Sequence, residues 1–270
     1  MTAISITEAA ELLSWSRRVG VPIRILPPDL LPKTLEQAYD IQNATFRLRG
    51  MGPAGFKVGL TNVEAQRSAG AAAPIAGRLV SADILRSPAR IAWSHDHLRI
   101  VEAEVVFEVG CAVSADDMPL SEADVYHCLR GAHAGIEICN SRLSGSDDAP
   151  LAAIVADNSN ADRLVVGDRL TDWTFEALAD LAVTLTRRGQ PAIDGSTRRV
   201  LGHPLKAVTW LVNWLGARGE GLKAGDLIAS GSCTGMTEVS RDDAVIATFS
   251  GGARVAVDFT EADMKGEVRA

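Results

Sequence analysis

The strongest constraint on the fold comes from residues 100–109, where apolar and acidic side chains alternate along a valine-rich run. Successive side chains of a β-strand point to opposite faces, so this pattern predicts a strand. One face is then apolar, and the other carries Glu102 and Glu104 side by side. A second short strand is predicted at residues 135–139, where Glu137 stands between two isoleucines. The fold must therefore place these three acids, each on a strand, against solvent or against a group that balances their charge.

Helical and strand patterns are both present, and the helices come first. Capping residues and apolar spacing predict helices in five segments, namely residues 5–20, 34–50, 62–70, 121–132 and 204–216. Further strand patterns lie at residues 55–60, 181–185 and 226–230, and in a hairpin over residues 245–259. This order predicts one α+β domain, with a mainly helical part at residues 1–70 and a β-rich core at residues 71–270.

Composition narrows the class of protein. The chain has 270 residues, 47% of them hydrophobic, which is enough for a core without disulfides. A net charge of -7 with both signs scattered argues against nucleic acid or a membrane as a partner. The sequence lacks a signal-peptide pattern and a long apolar span, and its four cysteines match no zinc pattern. We therefore expect a cytoplasmic protein, and without a phosphate-binding glycine motif we expect no nucleotide cofactor.

The acids Glu102, Glu104 and Glu137 allow two interpretations. Neighbouring carboxylates repel each other, so the pKa of one should rise unless a cation lies between them. Carboxylate oxygens suit magnesium or manganese, and three of them leave coordination positions for water and substrate. The alternative is a solvated strand face that needs no metal. The apolar neighbours of Glu137 favour the metal site, because a buried unpaired carboxylate is unfavourable.

Six short motifs follow one another along the chain. They are residues 55–61 (GFKVGLT), 101–104 (VEAE), 135–142 (GIEICNSR), 156–158 (ADN), 201–205 (LGHPL) and 224–226 (AGD). Together they resemble the 2-keto-4-pentenoate hydratase / 4-oxalocrotonate decarboxylase family, which belongs to the fumarylacetoacetase-like superfamily. Each motif is weak by itself, but the ordered set is fairly specific and runs almost from end to end.

The resemblance implies a fumarylacetoacetase-like fold, a rolled mixed β-structure with flanking helices and an N-terminal helical segment. It implies a divalent cation, Mg²⁺ or Mn²⁺, held by Glu102, Glu104 and Glu137. The family's active-site lysine falls on Lys57, which spacing alone would assign to a solvated surface. A homo-oligomer is also implied, and a complex with a neighbouring pathway enzyme is compatible with it.

Two positions depart from the hydratase pattern. Many hydratases carry an acid where this chain has Ile75, and the hydroxyl after Asn158 is shifted to Ser159. Both positions are expected near the pocket. They therefore bear on the substrate and the detailed reaction rather than on metal binding.

Five further residues are candidates for the site, each with a structural alternative. Asp157 is a catalytic candidate and Asn158 a substrate-binding one, through an ordered water or the surroundings of the metal; an Asx turn competes equally. Arg142 is a candidate ligand of a substrate carboxylate, or a structural salt bridge. Ser232 and Thr234 are candidate donors to the substrate, or part of an ordinary glycine-rich turn.

The implied reaction is addition of water to a 2-hydroxy-2,4-dienoate of the 2-hydroxypenta-2,4-dienoate type. It gives a 4-hydroxy-2-oxo acid in aromatic-compound catabolism, so the partner is a small 2-oxo acid or dienol. The alternative is a 2-oxo-3-enedioate decarboxylase of the 4-oxalocrotonate type, whose second carboxylate needs a cation; Arg67, Arg78 and Lys206 are candidates. An acylpyruvate hydrolase is less favoured because no histidine–acid dyad is evident. A non-catalytic partner subunit is less favoured because the acids and Lys57 are intact.

Overall fold

The computed structural model describes residues 4–93, 99–145 and 149–261. The helices are α1 Ile6–Val19, α2 Leu35–Leu48, α3 Val63–Ala69, α4 Glu122–His127, α5 Leu151–Ala156, α6 Phe175–Leu178 and α7 Pro204–Gly216. Their starts follow the predicted capping chemistry. The Ser5 hydroxyl accepts a hydrogen bond from the Glu8 amide, and the Thr34 hydroxyl accepts one from the Gln37 amide. Gly20 ends α1 in the left-handed conformation, at a φ of 72°.

Thirteen strands are named among the described residues. They are β1 Gly55–Gly59, β2 Ile75–Leu79, β3 Ile84–Arg86, β4 Ala89–Trp93, β5 Arg99–Val109, β6 Leu129–Asn140, β7 Ala161–Arg169, β8 Ala182–Arg187, β9 Ile193–Ser196, β10 Leu227–Ser232, β11 Thr237–Glu238, β12 Ala244–Phe249 and β13 Arg254–Glu261. The predicted strand at residues 100–109 and the hairpin at residues 245–259 are both confirmed.

These strands form two mixed sheets. The larger has the order β2-β1-β10-β5-β6-β7-β3, and β11 pairs with the N-terminal part of β5. The smaller has the order β4-β13-β12-β8-β9. Three pairs are parallel, namely β1 with β10, β3 with β7 and β4 with β13. Mixed sheets with helices confirm the predicted α+β class.

The two sheets pack against each other where β13 meets β6 and β7. Their backbones come very close at Gly167 of β7, where an added Cβ would lie 2.2 Å from the Arg254 carbonyl oxygen. One hydrophobic cluster contains residues of both sheets, including Val165 and Val255, together with apolar residues of α1, α2 and α7. Burial of this apolar surface is the main stabilising contribution and holds β5 and β6 at the centre of the larger sheet.

The predicted helix at residues 121–132 is wrong in its second half. Ser121 does cap a helix, but α4 ends at His127 and the chain enters β6 at Leu129. Short apolar runs do not distinguish a helix from a strand. Pairing with β5 along the whole of β6 supplies the backbone hydrogen bonds that a longer helix would have supplied internally. The predicted short strand at residues 135–139 is consequently the second half of a twelve-residue strand.

Two smaller findings concern the remaining sequence features. His203 caps α7: its Nδ1 accepts a hydrogen bond from the Leu205 amide, and its ring stacks on Phe175. Within the described ranges, every helix is too short or too polar to cross a bilayer.

Candidate active site

The acids of the site are placed by the register of β5 and β6. These strands pair antiparallel with Glu102 directly opposite Glu137, so their side chains lie on the same face of the sheet. Glu104 is two residues further along β5 and shares that face. Glu104 and Glu137 are each only 1% exposed, whereas Glu102 is partly exposed. The structure therefore brings together the three acids that the sequence suggested as metal ligands.

Lys57 of β1 completes this cluster. Its Nζ lies 3.3 Å from Glu137 Oε1, and the lysine side chain is 5% exposed. This buried position agrees with the placement that the family resemblance implied for Lys57 and not with the solvated surface that spacing alone would assign. β10 lies between β1 and β5 in the sheet, so the lysine reaches the acids across the face of that strand. The ammonium balances part of the negative charge of the cluster.

The buried acids have unused acceptor capacity. The Gly231 amide donates a hydrogen bond of 2.8 Å to Glu104 Oε2. Among the described residues, Glu104 Oε1 and both oxygens of Glu137 accept no well-aligned hydrogen bond, and Lys57 offers Glu137 an ion pair rather than such a bond. Buried polar atoms without partners are rare in folded proteins. The unpaired oxygens of Glu104 and Glu137 therefore indicate that a ligand binds beside them.

The shifts in the pKa of the buried acids and of Lys57 show the same shortage of positive charge. Burial raises the pKa of Glu104 well above its ordinary value, and the charges of Glu137 and Glu102 raise it further. Burial also raises the pKa of Glu137, although Lys57 opposes this. For Lys57, burial by itself lowers the pKa, but Glu137 and the surrounding acidic groups outweigh it, so the pKa is raised. Lys57 is therefore protonated at neutral pH.

Cys139 is a neighbour of these acids that sequence reasoning passed over. One ligand atom each from Glu102, Glu137 and Cys139 lies within 4.8 Å of the others. The Cys139 thiol also donates a weak hydrogen bond of 3.6 Å to Glu102 Oε2. A signal was available, because Cys139 is two residues after Glu137 on the same strand and so shares its face.

The charge and the donor atoms fit a divalent cation. Three acids face a single lysine, buried oxygens lack hydrogen-bond donors, and carboxylates are hard ligands that suit magnesium or manganese. Glu102 and Glu137 are close enough to hold the ion together, with Cys139 beside them, and Glu104 is the further ligand that the family resemblance implies. Which of these groups coordinate it stays a prediction.

A cavity of about 730 Å³ opens beside the cluster, within the size range of small-molecule sites. Lys57, Glu102 and Cys139 form part of its wall. Apolar side chains line another part of it, among them Val58, Leu60, Ile75, Ile154 and Met236. Ile75, the position where many hydratases carry an acid, therefore does face the space beside the cluster. The cavity thus combines one polar, charged side with an apolar wall.

The turn Asn158–Asn160 shapes one edge of this cavity. All three residues have positive φ, between 52° and 60°, which is strained for residues other than glycine. The Asn158 side chain accepts a hydrogen bond from the Arg78 amide and donates one to the Arg78 carbonyl. Asn158 thus ties the turn to β2, while Ser159 and Asn160 line the cavity.

Arg142 and Asp157 form a buried ion pair with each other. Arg142 Nε donates to Asp157 Oδ1, and the Arg142 amide donates to Asp157 Oδ2 at 2.8 Å. The guanidinium also donates to the carbonyls of Asp157 and Ala161. Neither side chain lines the cavity of the acids. In this arrangement the pair joins the end of β6 to the segment after α5, and their predicted roles toward substrate remain untested.

Ser232 and Thr234 take different positions. Ser232 lines the cavity, and its hydroxyl oxygen accepts a hydrogen bond of 2.9 Å from the Gly235 amide. Its own hydrogen is then available to a ligand oxygen. Thr234 is buried, where its hydroxyl accepts from the Ala103 amide and donates to the Gly235 carbonyl. Thr234 therefore braces the loop against β5 between the two acids of that strand.

The structure contains a cavity cation that sequence reasoning missed. Arg199, in the turn between β9 and α7, lines the cavity. Arg67, Arg78 and Lys206, the candidates proposed for a second substrate carboxylate, do not line it. Arg78 instead pairs with Glu220 at 2.7 Å. No periodic pattern marks Arg199, because it lies in a turn far from the acids in sequence.

Comparisons with known proteins place the chain in a family. A scan against protein-family models finds no match. The TodF product hydratase of Pseudomonas putida is 31% identical over 96% of each chain. A 2-keto-4-pentenoate hydratase of Paraburkholderia xenovorans is 29% identical over 98% of this chain and 99% of its own. The 4-oxalocrotonate decarboxylase of Pseudomonas putida G7, solved with magnesium and adipate, is 25% identical, with a TM-score of 0.85 over 96% of this chain and 100% of its own.

These relatives extend along nearly the whole chain and include both reactions that the sequence motifs implied. The family is one of lyases, and the solved neighbours share its fold. This chain therefore belongs to the 2-keto-4-pentenoate hydratase / 4-oxalocrotonate decarboxylase family.

Proposed function

We propose that this protein is a metal-dependent hydratase that adds water to a 2-hydroxy-2,4-dienoate to give a 4-hydroxy-2-oxo acid. The observation that carries the proposal is the buried cluster of Glu102, Glu104, Glu137 and Lys57 beside a cavity of about 730 Å³. Hydratases among the relatives support the same reaction class. The metal is Mg²⁺ or Mn²⁺ in this proposal.

The bound cation would supply Lewis-acid chemistry, by accepting the substrate carboxylate and 2-oxygen and stabilising negative charge on that oxygen. The protein's own groups then orient the substrate. Lys57 holds a proton at Nζ on the cavity wall and contributes positive charge near the chelating end. Ser232 offers its hydroxyl hydrogen to a substrate oxygen. The apolar wall around Ile75 excludes water from the hydrocarbon part of the substrate.

Hydration of this substrate class has two proton-coupled parts. The dienol is first protonated at its far end, which gives a conjugated 2-oxo acid. Water then adds at C4, with its hydroxyl on C4 and its hydrogen on C3. Lys57 is the cationic group on the cavity wall beside the acids. The acids raise its pKa, so it would move a proton in such transfers only where the bound cation brings that pKa back down.

A 2-oxo-3-enedioate decarboxylase is the second candidate. It is favoured by the decarboxylase of Pseudomonas putida G7, which was solved with magnesium and the dicarboxylate adipate. In that reaction the electrons released as carbon dioxide leaves would enter the same chelated 2-oxo group. The position of Ile75 on the cavity wall, where many hydratases carry an acid, also favours this candidate.

The deciding experiment uses metal-stripped protein with and without Mg²⁺ or Mn²⁺. It is given freshly generated 2-hydroxypenta-2,4-dienoate and, separately, 2-oxohex-3-enedioate. Metal-dependent loss of dienol absorbance with formation of 4-hydroxy-2-oxopentanoate supports the hydratase. Carbon dioxide release from the enedioate alone moves the assignment to the decarboxylase. No reaction with either compound in the presence of metal refutes both.

We further propose a cytoplasmic location, because Cys111, Cys128, Cys139 and Cys233 are all free thiols. Assembly as a homo-oligomer stays a prediction from the family resemblance.

A further inference from the structure

Cys139 lies in the row of acidic side chains that β5 and β6 form together. In the antiparallel register of these strands Glu102 is directly opposite Glu137, and Cys139 is opposite Ile100, one step along the pair. Glu104 lies one step away in the other direction, because it follows Glu102 by two residues on the same face. The central acids therefore have a carboxylate on one side and a thiol on the other.

The distances favour the side of the thiol. One carboxylate oxygen each of Glu102 and Glu137 and the Sγ of Cys139 lie within 4.8 Å of one another. Over residues 4–93, 99–145 and 149–261, no second group of three acidic, cysteine or histidine ligand atoms lies so close together, and the group does not include Glu104. A zinc ion bonds sulfur at about 2.3 Å and oxygen at about 2.0–2.2 Å, so two of its ligand atoms are at most about 4.5 Å apart. The three atoms thus lie at nearly the spacing of ligands on one ion.

The thiol is also more accessible from the cavity than Glu104. Glu102 and Cys139 line the cavity, whereas Glu104 does not line it and is 1% exposed. The Gly231 amide of β10 donates a hydrogen bond of 2.8 Å to Glu104 Oε2, which occupies part of that carboxylate. An ion that enters from the cavity therefore meets the oxygen of Glu102 and the sulfur of Cys139 first.

The groups around this point are ready to exchange a hydrogen for a cation. The Cys139 thiol donates a hydrogen bond of 3.6 Å to Glu102 Oε2, so the sulfur already lies beside that oxygen. Both oxygens of Glu137 accept no well-aligned hydrogen bond from the described part of the chain. A thiol is a weak donor, so little is lost when a metal takes the place of its hydrogen. The S–H bond then breaks, its proton passes to water, and the sulfur bonds to the metal.

From this arrangement we propose that Cys139 is a ligand of the divalent cation, together with Glu102 and Glu137. Sulfur is a soft ligand that suits transition metals such as Co²⁺ and Zn²⁺, whereas Mg²⁺ takes oxygen ligands. The site therefore prefers Co²⁺ and Zn²⁺ to Mg²⁺ more strongly than three carboxylates alone would. This inference deepens the proposed function, on which it rests for the presence of a cation, and names the class of metal.

The test adds Co²⁺ to the metal-stripped full chain and records its absorption spectrum. A cysteine sulfur bound to Co²⁺ gives a sulfur-to-metal charge-transfer band in the near ultraviolet, which carboxylate ligands do not give. We expect this band in the wild type and its loss in Cys139→Ser. Calorimetry should show Co²⁺ affinity at least about tenfold lower in Cys139→Ser, the loss typical of a disturbed ligand shell. Mg²⁺ affinity should stay within about threefold, because Mg²⁺ uses the oxygen ligands that remain.

The matched control is Cys111→Ser. Cys111 is an exposed thiol that does not line the cavity, so it would reveal Co²⁺ bound by a surface cysteine. This variant should keep both the band and the Co²⁺ affinity of the wild type. Cys139→Ala is a second variant of the proposed ligand, and retained Mg²⁺ binding by either Cys139 variant shows that its fold and its carboxylates are intact.

The outcomes separate this inference from the proposed function. Co²⁺ that binds to the wild type without the band, or a band that remains in Cys139→Ser, overturns the role of Cys139 and leaves a metal-dependent hydratase standing. An equal fall of Co²⁺ and Mg²⁺ affinity in both Cys139 variants also overturns it, because it shows a structural role. If the wild type binds neither Co²⁺ nor Mg²⁺, the cation site of the proposed function and the Cys139 proposal are both refuted.

Discussion

Lys57 Nζ lies 3.3 Å from Glu137 Oε1, and the two side chains are only 5% and 1% exposed. Coulomb attraction is strong where water is excluded, so this pair is a fixed feature of the site rather than a passing surface contact. The charge of the lysine balances one of the three neighbouring acids. The negative charge of the remaining two acids is left for a cation. Three tests follow from the arrangement around this pair, and a fourth concerns Asp83 and its arginine partners elsewhere in the protein.

Replacing Glu137 tests the metal site. In Glu137→Gln, one central carboxylate is lost, so Mn²⁺ affinity measured by electron paramagnetic resonance should fall by at least about 100-fold. The control is Glu108→Gln, which removes an acid of the neighbouring strand β5 that pairs with Arg130 and does not line the cavity. Mn²⁺ binding within threefold of wild type in Glu137→Gln would contradict the assignment.

Replacing Glu104 tests whether the acids repel each other without metal. Burial and two neighbouring acids raise the pKa of Glu104, so its ionised form is unfavourable in the metal-free protein. Glu104→Gln should therefore raise the melting temperature of the metal-free protein by about 2–4 °C at neutral pH, while weakening Mn²⁺ binding. Calorimetry with and without metal measures both effects. A lower melting temperature in the metal-free variant would show that Glu104 is stabilising as an anion.

Replacing Lys57 tests its role in proton transfer. Lys57→Met should lower kcat about 10²–10⁴-fold, the usual contribution of a positioned acid or base. Mn²⁺ binding should persist, since the acids that hold the ion remain. Lys206→Met is the matched control, because Lys206 is an exposed lysine outside the cavity. Turnover of Lys57→Met within threefold of wild type would remove the lysine from the mechanism.

The loss of folding stability at low pH should depend on Asp83. Burial alone would raise the pKa of Asp83, but a hydrogen bond from Arg49 and the charge of Arg17 lower it below its ordinary value. A carboxyl with a lowered folded pKa stabilises the protein above its unfolded pKa, and that contribution is lost as pH falls through the folded pKa. Asp83→Asn should therefore be less stable than wild type at pH 7, and the difference should shrink below about pH 4.

Urea unfolding at pH 7, 5 and 3 measures this difference in free energy of unfolding. Asp40→Asn, which removes an exposed acid of α2, is the control and should change little at any pH. A constant difference between Asp83→Asn and wild type across this range would show that the arginines do not stabilise the ionised carboxylate.

The pair of Arg142 and Asp157 shows what a sequence motif leaves open, namely which groups a side chain contacts in the folded protein. The sequence left open a contact of Arg142 with substrate or a structural salt bridge, and the structure shows a salt bridge to Asp157 in the protein interior. Sequence motifs locate important residues but do not state which atom each side chain contacts. That direction depends on α5 and the left-handed turn at Asn158–Asn160, which local propensity does not encode.

Much of the fold was readable from local chemistry. Caps at Ser5 and Thr34, the alternation along β5 and the glycine turn of the last hairpin each depend on neighbours in sequence. These signals also placed Glu102 and Glu104 on one face of a strand, because the period of a strand fixes which side chains lie together.

Only the tertiary structure decided how those pieces combine. The order of strands brought Lys57 to Glu137 across 80 positions of chain. The close approach of β9 to the segment that follows β10 brought Arg199 to the cavity. The boundary between α4 and β6 was likewise set by pairing with β5 rather than by the sequence of residues 121–132. Local periodicity determines the elements and their faces, whereas burial and hydrogen bonding between distant segments determine which faces meet.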